Sequence, residues 1–130
     1  ILPALIAHRL RPITLEIDGR KVGEYMITNL IVANGQYFGG GMHPLPEASV
    51  EDGLLDVAVL NDFTRCGIIQ DAHYLMTGLP RGHQKIHYFR GREIRAISSE
   101  PVALEADGEI LGNLPASFRV IRQGLRVVAP

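Results

Sequence analysis

The chain has 130 residues, with 13 Lys and Arg, 14 Asp and Glu, and a formal net charge of -1. This length favours one domain or part of one, and it can bury a usable hydrophobic core. The balanced charge excludes the strongly basic surface typical of nucleic-acid-binding proteins, so no nucleic-acid partner is expected. Cys66 is the single cysteine, which excludes an internal disulfide framework and favours a reducing, cytoplasmic compartment.

The apolar segment that opens the chain, residues 1–7, is too short to cross a bilayer and lacks the features of a signal peptide. Leu2, Leu5, Ile6 and Leu10 have helical spacing. We therefore predict that residues 1–11 are the end of a helix that begins upstream, inside a larger protein.

Short segments with alternating apolar residues predict that most of the remaining chain is β-structure. The predicted strands are 12–18, 21–27, 30–33, 54–60, 93–98, 102–106, 117–121 and 125–128. One helix is predicted over residues 63–77, capped by Asn61-Asp62 and ended by Gly78. This pattern predicts one antiparallel β-sandwich or barrel domain with a single decorating helix, covering residues 1–130.

The chain contains three Asp-Gly dipeptides: Asp18-Gly19, Asp52-Gly53 and Asp107-Gly108. Each is most simply a tight turn, because Gly adopts positive φ cheaply and Asp tolerates it. Asp52 differs because it lies in an acidic stretch just before an apolar strand. A carboxylate beside turn carbonyls can bind Mg²⁺, so a magnesium site is the alternative to a solvated strand entry.

The third dipeptide lies in a second acidic group, in which Glu105, Asp107 and Glu109 are spaced by two. In an ideal strand these side chains would share a face. Clustered carboxylates repel one another, which raises the pKa of at least one of them and suits a general base. The spacing alone favours the other interpretation, an exposed polar edge of a hairpin.

A basic segment between residues 81 and 95 contains two aromatic side chains, Tyr88 and Phe89. Its cations are Arg81, Lys85, Arg90, Arg92 and Arg95. It predicts either a docking patch for anionic lipid headgroups or an ordinary solvated loop and strand edge, and composition favours the second.

Two stretches carry a resemblance to a known family. The first contains Asn34-Gly35, then Gly39-Gly40-Gly41-Met42, then Asp52-Gly53-Leu54-Leu55-Asp56. The second is Leu104-Glu105-Ala106-Asp107-Gly108-Glu109. From about residue 12 to residue 130, their order and spacing resemble the C-terminal half of the diacylglycerol, sphingosine and ceramide kinases, most closely the bacterial lipid-kinase branch.

The resemblance implies a two-domain enzyme that transfers phosphate from ATP to a lipid hydroxyl. An N-terminal domain would hold ATP with a Gly-Gly-Asp-Gly-Thr type loop, and this chain has no such loop. The chain would be the lipid-binding β-sandwich domain, inactive alone. Its implied partners are a diacylglycerol-like lipid, the ATP-binding domain of the same protein and the membrane surface, which it would contact peripherally; a homodimer is left open.

The resemblance also implies roles for individual residues. Glu109 matches the family's proton acceptor, and Asp107 matches an acidic neighbour that orients the site. Asp52 matches a carboxylate that holds a structural Mg²⁺ partly through water, together with the main-chain carbonyls of Ser49 and Leu54. A second, catalytic Mg²⁺ would arrive with ATP.

Two other functions are compatible with the sequence. One is a small-molecule kinase of the NAD-kinase type, which a polar pocket for a dinucleotide would favour over an apolar pocket for acyl chains. The other is a non-catalytic β-sandwich module that only binds a ligand. Replacing Glu109 by Gln separates these classes, because a kinase would lose turnover whereas a binding module would keep its only activity.

Overall fold

A computed structural model describes residues 9–62 and 73–129 of the chain. Within these ranges the structure is mainly antiparallel β-sheet, and residues 73–77 are helical. The strands are β1 Arg11–Ile17, β2 Arg20–Ala33, β3 Leu55–Asn61, β4 Ile86–Gly91, β5 Glu93–Ile97, β6 Ala103–Ala106, β7 Glu109–Asn113 and β8 Ala116–Arg119. A mainly antiparallel β domain with very little helix is therefore confirmed.

Six of the strands form one sheet in the order β4-β3-β2-β1-β5-β8, and β6 and β7 form a separate two-stranded hairpin. The sheet is organised by β2, which pairs with β1 through its first half and with β3 through its second half. The pairing register with β3 shifts between Ile27 and Asn29, so a bulge at Thr28 separates the two halves. The sequence pattern predicted two separate strands here, because the bulge interrupts the alternation.

The strand β3, which lies between β4 and β2, is buried on both faces of the sheet. Leu55, Val57 and Val59 pack into the core cluster on one face, which also includes buried side chains from β1, β2 and β5. Ala58 and Leu60 pack on the other face, under residues 45–48, Leu79 and Ile86. Burial on both faces explains why this segment is an unbroken apolar run apart from Asp56.

The β1–β2 hairpin forms where the Asp18-Gly19 turn was predicted. Asp18 and Gly19 have φ angles of 50° and 80°, as a two-residue hairpin turn with positive φ at both positions requires. The Asp18 carboxylate also accepts hydrogen bonds from the backbone N–H groups of Arg92 and Glu93, both at 2.9 Å. Asp18 therefore fixes the bend between β4 and β5, in addition to forming its own turn.

Three local predictions are wrong or lie outside the described residues. The first is the helix end over residues 1–11: residues 9 and 10 are not helical, β1 begins at Arg11, and residues 1–8 lie outside the described ranges. The second is the helix over residues 63–77, of which residues 63–72 lie outside the described ranges. Residues 125–128 are exposed and form no strand. The strand β4, in contrast, was not predicted, since its residues were assigned to the basic segment.

Candidate functional site

The Asp52 segment leads directly into β3. Asp52 is exposed, and its Oδ1 accepts a hydrogen bond from the backbone N–H of Leu54 at 2.9 Å. The Ser49 hydroxyl accepts a hydrogen bond from the N–H of Glu51 at 3.2 Å. These two local bonds shape residues 49–54 as a turn.

This turn offers oxygen ligands, but by itself it is an incomplete metal shell. Mg²⁺ prefers six oxygens in octahedral geometry and commonly retains several waters. With Oδ1 engaged by Leu54, Asp52 has Oδ2 left to offer, and main-chain carbonyls could add to it. Within residues 9–62 and 73–129, no group of three or more His, Cys, Asp or Glu side chains is placed to hold a metal.

The β6–β7 hairpin carries the second acidic group. Asp107 and Gly108 form its turn, with φ angles of 49° and 86°, and Glu109 is the exposed first residue of β7. Glu105 pairs with Ile110, whereas Glu109 pairs with Ala106. Since neighbouring residues of a strand alternate between faces, Glu105 and Glu109 point to opposite sides of the hairpin.

The interpretation that the spacing favours, an exposed polar edge of a hairpin, is therefore confirmed, and the alternative in which Glu105, Asp107 and Glu109 share one face of a strand is wrong. That prediction assumed a continuous strand, but the chain reverses at Asp107-Gly108. Glu105 and Glu109 are thus on different strands and different faces. The Asp-Gly-Glu motif places Glu109 immediately after a tight turn, exposed and available to a group that approaches from outside the domain.

A groove of about 550 Å³ lies between the hairpin and the main sheet. Its walls come from β1, β2, β8, the hairpin and the segments on either side of the hairpin, and ten of the fifteen lining residues are apolar while five are polar or charged. The lining residues are Arg11, Ile27, Thr28, Asn29, Leu30, Val32, Pro101, Val102, Ala103, Leu104, Glu105, Ile110, Asn113, Leu114 and Phe118. Glu105 and Ile110, which face each other across the hairpin, both line it.

A second, smaller cavity of about 270 Å³ lies on the other face of the sheet. Asp56 is buried there with 6% exposure, and the guanidinium of Arg90 binds its Oδ1. Its Oδ2 has no hydrogen-bond partner among the described residues. The Tyr88 hydroxyl donates to the carbonyl of Leu79 at 2.6 Å, and burial raises the pKa of Tyr88 to about 12.

The basic segment lies partly in this region, and its cations are largely paired. Arg81 forms an ion pair with Glu47, and its guanidinium lies 5.1 Å from the centroid of the Tyr88 ring. The Lys85 ammonium donates to the carbonyl of Asp62 at 2.8 Å. Because Arg81, Arg90 and Arg95 each lie within 4 Å of a carboxylate, the geometry favours the solvated strand edge over a dedicated headgroup patch.

The glycines at 39–41 form a tight loop, as expected for residues that let the backbone turn. All three have positive φ angles, of 37°, 33° and 87°. Phe38 and Met42 close the loop through two backbone hydrogen bonds, of 3.0 and 3.1 Å. Nearby, the Tyr37 and His43 rings stack with centroids 4.2 Å apart, which orders the start of the segment that leads to Asp52.

The sequence and the fold define the class of protein. Residues 1–129 match the family described as the YegS C-terminal NAD kinase beta sandwich-like domain, so the chain belongs to that family. A Bacillus subtilis (strain 168) diacylglycerol kinase is 31% identical over 125 residues, which cover 93% of the chain and 40% of that kinase. A Staphylococcus carnosus (strain TM300) diacylglycerol kinase is 27% identical, with 91% of the chain and 38% of that kinase covered.

The solved structures agree with the family assignment at the level of fold. A structure described as a diacylglycerol kinase from Bacillus anthracis str. Sterne superposes with a TM-score of 0.71 at 21% identity, covering 91% of the chain and 42% of that protein. The chain thus spans about two fifths of the length of the curated relatives it matches.

Among the described residues, no helix is both long and apolar enough to span a membrane.

Two features of the site region were missed in the sequence. The Asp56–Arg90 pair joins residues 34 positions apart, which no local pattern indicates. The position of Glu105 in the groove depends on the register of β6 against β7. Counting residues outward from the Asp107-Gly108 turn could have found it, since a two-residue turn places Ala106 opposite Glu109 and Glu105 opposite Ile110.

Proposed function

We propose that the chain is the substrate-binding, base-carrying domain of an ATP-dependent lipid kinase that phosphorylates a hydroxyl of a diacylglycerol-like lipid. The observation that carries the proposal is the groove with ten apolar lining residues, bordered by the hairpin that bears Asp107 and Glu109. Membership of the family and the names of the relatives support the same class of reaction. The ten apolar lining residues would contact acyl chains, which favours a lipid over the dinucleotide of a NAD-kinase-type enzyme.

In the proposed reaction, Glu109 is the general base. Its carboxylate takes the proton of the lipid hydroxyl while that oxygen forms a bond to the γ-phosphorus of ATP, and the bond from this phosphorus to the β–γ bridging oxygen breaks to release ADP. Glu109 is exposed directly after the turn, on the hairpin face opposite the groove-lining Glu105, so the reacting hydroxyl would have to extend past the turn to meet it. A general base of this kind contributes about 10²- to 10⁴-fold in rate.

The other acidic turns have supporting roles in the proposal. Asp107 occupies the first turn position beside Glu109 and orients it. Asp52, with the carbonyls of Ser49 and Leu54, would hold a structural Mg²⁺ together with water. The metal that accompanies ATP supplies charge neutralisation during phosphoryl transfer. The nucleotide would be bound mainly by an N-terminal domain, so the chain by itself is expected to be inactive.

The proposed substrate also sets the location of the protein. A lipid with two acyl chains resides in the bilayer, so the groove has to approach the membrane surface for the lipid to enter. We therefore propose peripheral contact between the domain and the cytoplasmic membrane surface. Exposed apolar side chains at the hairpin tip, Ile110 and Leu111, which are 79% and 61% exposed, would make this contact.

The proposal is tested by Glu109→Gln in a protein that joins this chain to an ATP-binding domain of the family. Transfer of labelled γ-phosphate to diacylglycerol in mixed micelles is expected to fall at least about 100-fold, with circular dichroism unchanged. Glu24→Gln is the matched control, because Glu24 is an exposed β2 residue outside the groove, and it should keep full turnover. Retention of turnover by Glu109→Gln would contradict the assignment of the base.

The same assay separates the alternative functions. Phosphate transfer to NAD but to no lipid would favour the NAD-kinase type. Failure of the wild-type protein to transfer phosphate to any hydroxyl, with lipid binding intact, would favour a non-catalytic binding module.

A further inference from the structure

The hairpin presents its two glutamates to different surroundings. Glu105 lines the groove beside Leu104 and opposite Ile110, while Glu109 starts β7 on the other face. The catalytic role proposed above uses Glu109 and Asp107 only. Glu105 is therefore a carboxylate in the candidate lipid groove to which no role has been given.

The charge of Glu105 is uncompensated in the groove. The other charged lining residue, Arg11, donates to the carboxylate of Glu100 at 3.0 Å, and Arg9 lies 3.6 Å from the same oxygen. Across residues 9–62 and 73–129, the Glu105 carboxylate forms no ion pair or hydrogen bond with another residue. Ten of the fifteen lining residues are thus apolar, and Glu105 is the one acidic side chain among them.

We propose that Glu105 is a specificity-determining residue, which admits lipids with an uncharged, hydroxyl-bearing head and rejects lipids with an anionic head. This inference rests on the proposed function, because it assumes that the groove binds the lipid substrate. A hydroxyl can donate a hydrogen bond to the Glu105 carboxylate. A phosphodiester has no proton to donate at neutral pH, and its negative charge is repelled by the carboxylate.

The position of Glu105 suits a residue that distinguishes lipids by their head and not by their acyl chains. It is one residue from the Asp107-Gly108 turn on β6, and Glu109 follows that turn on β7. A lipid whose reacting hydroxyl approaches the hairpin turn therefore brings its head close to Glu105. The apolar side chains of the sheet, such as Leu30 and Phe118, are left to contact the tails.

Two short-chain lipids provide the probes. Dihexanoylglycerol has an uncharged head with a free hydroxyl, and dihexanoylphosphatidylglycerol adds a phosphodiester while keeping hydroxyl groups. Binding of each to the chain is measured by titration calorimetry below the critical micelle concentration. The wild-type chain is expected to prefer dihexanoylglycerol by at least about tenfold in Kd, which corresponds to about 1.4 kcal/mol.

Glu105→Gln keeps the size and hydrogen-bonding capacity of the side chain and removes its charge. We expect this variant to lose most of the preference, and Glu105→Lys to prefer the phosphodiester lipid. Glu105 is exposed, so neither change disturbs the core. Glu24→Gln alters the net charge equally outside the groove and should keep the wild-type ratio of affinities. Added salt should narrow the wild-type ratio, because it screens the repulsion.

The outcomes separate the two proposals. If the wild-type chain binds neither lipid, the groove is not a lipid site, and the proposed function loses its main support. If the chain binds both lipids and Glu105→Gln leaves the ratio of affinities unchanged, the specificity role of Glu105 is refuted while the lipid groove stands. A shift of the ratio of affinities toward the phosphodiester lipid in Glu105→Gln, but not in Glu24→Gln, supports both proposals.

Discussion

Arg90 of β4 binds Asp56 of the neighbouring strand β3, with Nε donating to Oδ1 at 2.8 Å and Nη2 lying 2.7 Å from the same oxygen. The hydrogen bond to Asp56 is the main reason that the pKa of Arg90 is raised. Arg90 also donates to the carbonyl of Glu47 at 3.2 Å. It thereby ties the segment before Asp52 to the sheet and stabilises the approach to the candidate metal turn.

Removing Arg90 and removing Asp56 should lower the free energy of unfolding by different amounts. The Asp56 side chain is 9% exposed and the Arg90 side chain 39%. Arg90→Ala leaves a buried carboxylate unpaired, and we expect a loss of roughly 3 kcal/mol in the free energy of unfolding. Asp56→Asn leaves a cation that can reach water, and we expect a loss of about 1 kcal/mol. Urea denaturation measures both, and equal losses would contradict this account.

Tyr88 should make the stability of the domain sensitive to alkaline pH. Burial raises the pKa of Tyr88 from 10.0 to about 12, so between these values the folded chain keeps a proton that the unfolded chain loses. The stability that this group contributes is therefore complete below pH 10 and is lost as the pH rises through about 12. Because the ring is partly solvated, we expect the effect to be on the order of 1 kcal/mol after discounting for screening.

The matched variant for this prediction is Tyr88→Phe. It removes the titrating hydroxyl together with its hydrogen bond to Leu79. Unfolding measured in urea at several alkaline pH values should show a smaller fall in stability for the variant than for the wild-type chain. Parallel curves for the two proteins would show that Tyr88 does not contribute to the pH dependence.

Glycine should be required at position 41 because of the backbone conformation there, and not because a larger side chain would clash. Its φ is 87°, and an added Cβ would meet no atom within 4 Å. Gly41→Ala is therefore expected to cost about 1 kcal/mol, arising from the left-handed conformation alone. Gly41→Asn should cost less, because Asn tolerates positive φ better. Thermal unfolding of the two variants checks this order, and an equal loss would point to a steric cause.

Mg²⁺ should stabilise the domain through Asp52 if the metal proposal holds. Asp52→Asn keeps the side-chain oxygen that can accept from Leu54 and removes the charge. In the wild-type chain, millimolar Mg²⁺ is expected to raise the unfolding temperature, because a ligand that binds only the folded state stabilises it. The variant should lose that increase. Glu51→Gln, at the adjacent exposed position, is the control.

Local patterns predicted the parts of the sheet in which sequence and tertiary environment agree. The alternation of Ile13, Leu15 and Ile17 matches burial on one face of β1, and Asp18-Gly19 supplies the hairpin turn. The strand β4 was missed because its only aliphatic residue is Ile86 and its other side chains read as polar or aromatic. It forms a strand because β3 provides a long partner edge, which is a tertiary effect.

The candidate site was predictable in its parts but not in its arrangement. The Asp-Gly turns at Asp52 and Asp107 follow from composition, because few other residues accept those backbone angles. The groove does not follow, since its walls come from segments between Arg11 and Phe118 that meet only in the folded sheet. The mistaken common face for Glu105 and Glu109 arose because strand periodicity was counted across a turn.

The register of the hairpin has a consequence for sequence variation among relatives. β7 accommodates one extra residue, Leu111, between the positions that pair with Glu105 and Leu104. Loss or gain of one residue between Glu105 and Glu109 would exchange inward and outward positions on one strand, bringing a different side chain to the lipid head. We therefore expect the length of this short segment to stay constant among relatives, and the side chain at position 105 to differ only where the lipid head differs.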